Sequence, residues 1–180
     1  MQPSTFRLEE MNMSIGKNML PEFDNEMAGT RKVLERIPDE KFGWKIHEKS
    51  NTIGWVASHL ANLPSWAAMT IETDSLDVMP KDGVPFKTPQ FDCTADVLAE
   101  FDRNVSQARA LLESVSDDEL QKPWSLLKSG NTMFTMPKIA ILRTWVINHI
   151  IHHRAHLCVY LRVNDLPVPG LYGPSADESM

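Results

Sequence analysis

Four of the six histidines of this chain fall within one short run, Asn148-His149-Ile150-Ile151-His152-His153-Arg154-Ala155-His156. A neutral imidazole offers a lone pair to a metal ion near pH 7, so such a cluster raises the question of metal chemistry first. Spacing decides which members can act together. On a helix, residues three or four apart share a face. His149 and His153 form an i, i+4 pair that can hold one ion, as the paired histidines of HExxH helices do. His153 and His156 form an i, i+3 alternative. His149 and His156 stand roughly 10 Å apart, too far to share an ion easily.

The apolar residues around the run indicate which way it faces. Leu142, Val146 and Tyr160 mark the inward stripe of this helix. Stepping by four and three from Leu142 passes through Val146, His149, His153 and His156 to Tyr160. Those three histidines are therefore expected on the core-facing seam, with His152 roughly 80° from its centre. A third ligand has to come from another helix. His59 supplies one, lying on an inward stripe with Val56 and Leu63. Three nitrogens without a fourth protein ligand leave positions for water or substrate, the pattern of catalytic rather than structural sites. His47 lies in a connection and reads as structural or as part of the site's mouth. His152 and His156 read as surface groups or as outer partners that orient a ligand through a hydrogen bond. The competing reading is a hydrogen-bonded polar core. It has to provide a partner for each of three buried rings, because an unpaired buried polar group is costly.

Four long helices must position these residues. Leu20, Phe23, Met27, Leu34 and Ile37, with Thr30, put a helix over Met19–Ile37, with Pro38 as its stop. A second helix is expected over Thr52–Thr73, capped by Ser50, Asn51 or Thr52 and kinked at Pro64. The stretch 74–93, with Pro80, Pro85 and Pro89, reads as a long loop. A third helix covers Ala95–Val115, followed by a short turn opened by the capping box Ser116-Asp117-Asp118-Glu119. Residues 122–135 read as a loop turning at Gly130, and a fourth helix runs from Pro137 to Val163. The expected fold is all-α: one four-helix-bundle domain over 1–180, with an irregular arm at about 1–18 and an irregular tail at about 164–180. The two long loops argue against the simplest up-down-up-down order.

Composition narrows the function classes. The net charge is −6, and no basic block appears, which argues against nucleic-acid binding. No run approaches the length of a membrane span, and MQPSTFRLEE has no apolar core of a signal peptide, so a cytoplasmic location is expected. Cys93 and Cys158 read as two reduced thiols. Trp44, Trp55, Trp66, Trp124 and Trp145 read as packing residues. There is no GxGxxG, Walker, GxSxG or EF-hand motif, and the Glu-x-x-His pairs of di-iron bundles are missing.

Several segments carry a family likeness. Lys45-Ile46-His47-Glu48-Lys49-Ser50, Thr52-Ile53-Gly54-Trp55 and Ser58-His59-Leu60-Ala61 resemble the first-histidine segment of DinB/YfiT-like proteins. His149 to Leu157 with Tyr160-Leu161-Arg162 resembles their last-helix motif, and the tail from Pro167 to Ala176 matches their style. The likeness spans nearly the whole chain. It implies a four-helix bundle, often a homodimer, with a divalent metal on His59, His149 and His153. Members often carry Gly-Gln where this chain has Ala155-His156, so His156 adds a nitrogen near the site. Characterised relatives include thiol transferases and isomerases that use small-molecule thiols such as bacillithiol or mycothiol. The expected function is thus a metal-dependent transferase or related enzyme acting on a small molecule through a metal-activated thiol or water. The cofactor would be Zn or Ni, with Fe, Co or Mn open. Two further readings stand beside it: a non-catalytic metal- or ligand-binding stress-response protein, and a helical dimer module with a metal-free histidine core.

Overall fold

A computed structural model describes residues 13–178. Helix α1 runs Ile15–Leu34, with the Ser14 side chain accepting from the Lys17 amide at its start. It begins four residues before the expected start at Met19, so residues 15–18 of the proposed arm are helical; residues 1–12 lie outside the described chain. Helix α2 spans Ile53–Asn62 and is capped by Thr52, whose hydroxyl accepts from the Trp55 amide at 3.1 Å. The expected kink at Pro64 is a break. Leu63 and Pro64 keep helical dihedrals, but the amides of Trp66 and Ala67 reach back three residues instead of four. Helix α3 resumes over Ser65–Glu72, and α4 runs Thr94–Ser114. The capping box opens the short α5, Asp117–Gln121.

The two presumed loops hold a small sheet. Strand β1 is Ser75–Asp77, β2 is Pro123–Lys128 and β3 is Asn131–Pro137, in the order β1-β2-β3, with the first pair parallel and the second antiparallel. Ser129 and Gly130, with φ of 53° and 78°, close the hairpin as the left-handed pair that a two-residue turn needs. Asp77 pins this turn to β1, accepting from the Ser129 and Gly130 amides at 3.0 and 2.7 Å. Trp124, Leu126 and Ile141 form a satellite core beneath the sheet, with Phe134 and Trp145 against it.

The last helix is not uniform. Helix α6, Lys138–Ile141, passes into a π-helical stretch, Leu142–Ile147, and then into α7, Asn148–Val163. Pro137 precedes the helix as the end of β3. A π turn holds an extra residue, so a seam counted across it slips by about one position. Leu142, Val146 and Tyr160 are buried as expected, but the other buried positions from the π stretch onward are Ile147, Ile150, Arg154, Leu157 and Leu161. Between Val146 and Tyr160 the buried seam is therefore displaced by one residue from the expected one. His149 and His153 are thereby moved to its half-buried rim, and His156 is exposed.

Helix α1 packs on α4 and α7, α2 on the same two helices, and α3 on α4 and the π stretch. Helices α1 and α2 are therefore diagonal in the bundle, as are α4 and α7, while α2 and α3 neighbour α4. The α1–α4 crossing is closest at Gly16, where an added Cβ would lie 2.2 Å from the Leu112 carbonyl oxygen. Backbone cannot give way as a side-chain tip can. Gly16→Ala is expected to cost about 1–3 kcal/mol, read as a lower urea midpoint. An unchanged midpoint would show that α1 slides freely off α4 at this end.

Candidate metal centre

Helix α2 brings His59 to the rim of α7, where His149 and His153 stand one turn apart. The Nε2 atom of His149 lies 3.0 Å from that of His153 and 3.4 Å from that of His59. One N–H···N bond can satisfy a single pair of such nitrogens, but not all three. A tetrahedral ion with metal–nitrogen bonds of 2.0–2.1 Å separates its ligands by ~3.3 Å, a value these distances bracket. The donor set therefore fits a divalent cation. Among the described residues, no cysteine or carboxylate joins these three nitrogens.

Aromatic rings hold the imidazoles. Trp55 stacks on His59 at 5.0 Å, and Trp66 meets His59 and His149 edge-on at 6.5 and 6.0 Å. Trp145 stands 6.2 Å from His149 and is itself stacked on Phe134 of β3 at 5.1 Å. The Nδ1 atoms of all three histidines are buried and lack a hydrogen-bond partner. Ligating histidines usually donate from that nitrogen to an acceptor that fixes the ring. Here ring packing fixes it instead, so Trp55, Trp66 and Trp145 contribute to the site and are more than general core. Two clefts of about 280 Å³ each reach the trio, one at His149 and the other at His153. One is lined by Thr144, Trp145, Asn148, His149 and His152. The other is lined by Lys49, Ser50, Asn51 and Val56, with His153, His156 and Tyr160.

Burial keeps the trio unprotonated. It holds His59 down to about 4, helped by His149. It holds His153 down to about 3, helped by the neighbouring His59, His149, His152 and His156. His149 is lowered by burial too. All three lone pairs are thus free at pH 7. The same shifts predict an acid weakness of the metal-free protein. Each folded-state value lies below the unfolded value of about 6.5, so the unfolded chain takes up protons first as the pH falls. Stability present above pH 6.5 is then lost progressively toward the folded values. The melting temperature of chelator-treated protein should fall between pH 7 and pH 4.5, and fall less in His153→Ala. Equal falls in the two proteins would show that His153 titrates alike in folded and unfolded chains.

The remaining histidines make no hydrogen bond to the trio. His47 is exposed and accepts from the Lys49 amide within its own turn. His152 and His156 are exposed on α7, their rings 4.4 Å apart. Cys93 and Cys158 are both free thiols. Among the described residues, no helix is long and apolar enough to cross a membrane.

Comparison with known proteins agrees with this architecture. The chain is 28% identical over 163 residues to the YrdA protein of Bacillus subtilis (strain 168), covering 89% of this chain and 90% of that one. A crystal structure of a DinB-like protein from Bacillus cereus ATCC 10987 superposes with a TM-score of 0.67 at 24% identity, over 90% of this chain and 100% of that one. The DinB-like YjoA protein of Bacillus subtilis gives 0.63 at 16% identity, over 91% and 99%. At these identities the two structures establish the shared fold. Residues 22–157 match the DinB superfamily, and the chain belongs to that family.

Proposed function

We propose that this protein is a divalent-metal-dependent enzyme acting on a small molecule, with His59, His149 and His153 as the metal ligands. One observation carries the reading: three neutral imidazole nitrogens converge within 3.0–3.4 Å steps, with one open cleft reaching His149 and another reaching His153. In a metal-free core one N–H···N bond can pair two of the three Nε2 atoms, and the third is left without a partner. A bound ion supplies Lewis acidity, lowering the pKa of a coordinated thiol or water so that a nucleophile exists at neutral pH. Zn and Ni suit three imidazoles best.

The chain's own residues do the rest. The three rings turn Nε2 toward one another and are neutral at pH 7. Trp55, Trp66 and Trp145 fix the rings and keep water from their outer edges. Lys49, at the cleft that reaches His153, favours a substrate bearing an anionic group. Low-molecular-weight thiols with carboxylates fit that description, and the reaction class this supports is transfer of such a thiol to a small electrophile. Metal-loaded protein should consume an alkyl halide or epoxide in the presence of a carboxylated thiol faster than chelator-treated protein does. His149→Ala should abolish the difference. Equal rates with and without Zn or Ni would remove the enzymatic reading.

A further inference from the structure

We propose that His152 and His156 form a second divalent-cation site on the surface of α7, and that it loads the buried trio through His153. Three observations place it. First, His152, His153 and His156 each place a ring nitrogen within 4.8 Å of the others, a second three-nitrogen group that shares only His153 with the trio. Second, His152 and His156 are both exposed and lie one helical turn apart, their ring centroids separated by 4.4 Å. An i, i+4 pair of this kind can chelate an ion without rearranging the backbone. Third, each of the two clefts that reach the trio carries one trio histidine and one surface histidine. His152 stands beside His149 in one, and His156 beside His153 in the other. An ion arriving by either route passes one member of the surface pair.

His153 belongs to both groups, and its Nε2 already faces His149 at 3.0 Å. That nitrogen cannot serve two ions at once. With the trio empty, His153 can complete the surface site; once an ion moves inward, only His152 and His156 remain outside. The surface site is therefore the weaker one when both are filled. The loading role rests on the trio being a metal site, but the surface site itself does not.

The test uses untagged, metal-stripped protein and NiCl₂ as the probe, with bound ions counted by equilibrium dialysis and uptake followed by stopped-flow absorbance. Wild type should hold two ions, and His152→Gln/His156→Gln one, with uptake into the trio several-fold slower in the double variant. His59→Ala should still hold an ion on the surface, lost when His152→Gln and His156→Gln are added. That last arm separates the surface site from the proposed trio, since it reads the former when the latter is disabled. Both substituted residues are exposed, so circular dichroism of the double variant should match wild type. Equal ion counts in wild type and the double variant would overturn the site. A second ion in wild type with equal uptake rates in the two proteins would overturn the loading role.

Discussion

Wild-type protein incubated with Zn or Ni should carry about one tightly held ion per chain after gel filtration, and His153→Ala should carry none. The magnitude follows from ligand number. Removing an outer hydrogen-bond partner of a metal ligand already weakens binding 10–100-fold, so removing one of three ligands should weaken it by more than about 100-fold. His153 stands closest to its neighbour, Nε2 to Nε2 at 3.0 Å, and is the ligand that links the site to the outer cleft. Because it lies on the half-buried rim, its loss should leave the bundle folded. The ion should also stabilise. At a free concentration 100 times the dissociation constant, the gain is about 2.7 kcal/mol, or roughly 5–11 °C for a chain of this size. Plasma mass spectrometry gives the ion count and calorimetry the shift. A wild type that stays empty after both metals would return the three histidines to core packing.

The residues proposed for this site were legible in the sequence because two periodicities agreed. The i, i+4 spacing of His149 and His153 and the place of His59 between Val56 and Leu63 both survive folding. What could not be read was the phase. A π turn arises from how the chain packs around Leu142–Ile147, and nothing in the identity of those residues announces it. Counting through it as though it were α-helix placed His156 inward and left Arg154 unconsidered, whereas His156 is exposed and Arg154 is among the most buried residues. The slip matters for function: a trio at the seam's centre would have been sealed, and one residue of rotation opens it to two clefts.

The sheet was missed for a different reason. Ser129-Gly130 is a two-residue turn, and Trp124-Ser125-Leu126 and Phe134-Thr135-Met136 alternate as strands do. Gly130 was recognised as a turn, yet the flanking runs are short. β1 also joins from far along the chain, which local pattern does not reveal. The consequence reaches the site, since Phe134 of β3 stacks on Trp145 and Trp145 packs against His149.

Arg154 carries the second large effect. Its guanidinium is 2% exposed and meets Glu26, 5% exposed, at 2.6 Å, and it also donates to the Glu26 carbonyl, Thr30 and Tyr172. Tyr172 in turn donates to Glu26 at 2.8 Å, so one cluster, buried at Arg154, Glu26 and Thr30 and exposed at Tyr172, ties α1, α7 and the C-terminal tail together. Gly29 makes room for it; a Cβ there would lie 2.9 Å from the guanidinium. Arg154→Met strands a buried carboxylate and should cost about 3–5 kcal/mol, or roughly 6–20 °C in melting temperature. Adding Glu26→Leu should recover much of that loss, because a buried pair replaced whole by apolar side chains is often neutral while a broken one is not. A single variant that loses under about 1 kcal/mol would place the cluster in water, against its burial. Arg154 directly follows His153, so the same ion pair holds α7 in rotation against α1. If that rotation is what presents the histidines, Arg154→Met should also weaken metal binding, and Arg154→Met/Glu26→Leu should regain stability without regaining affinity. Parallel recovery of both would instead mean that packing alone, without the ion pair, sets the register of the helix.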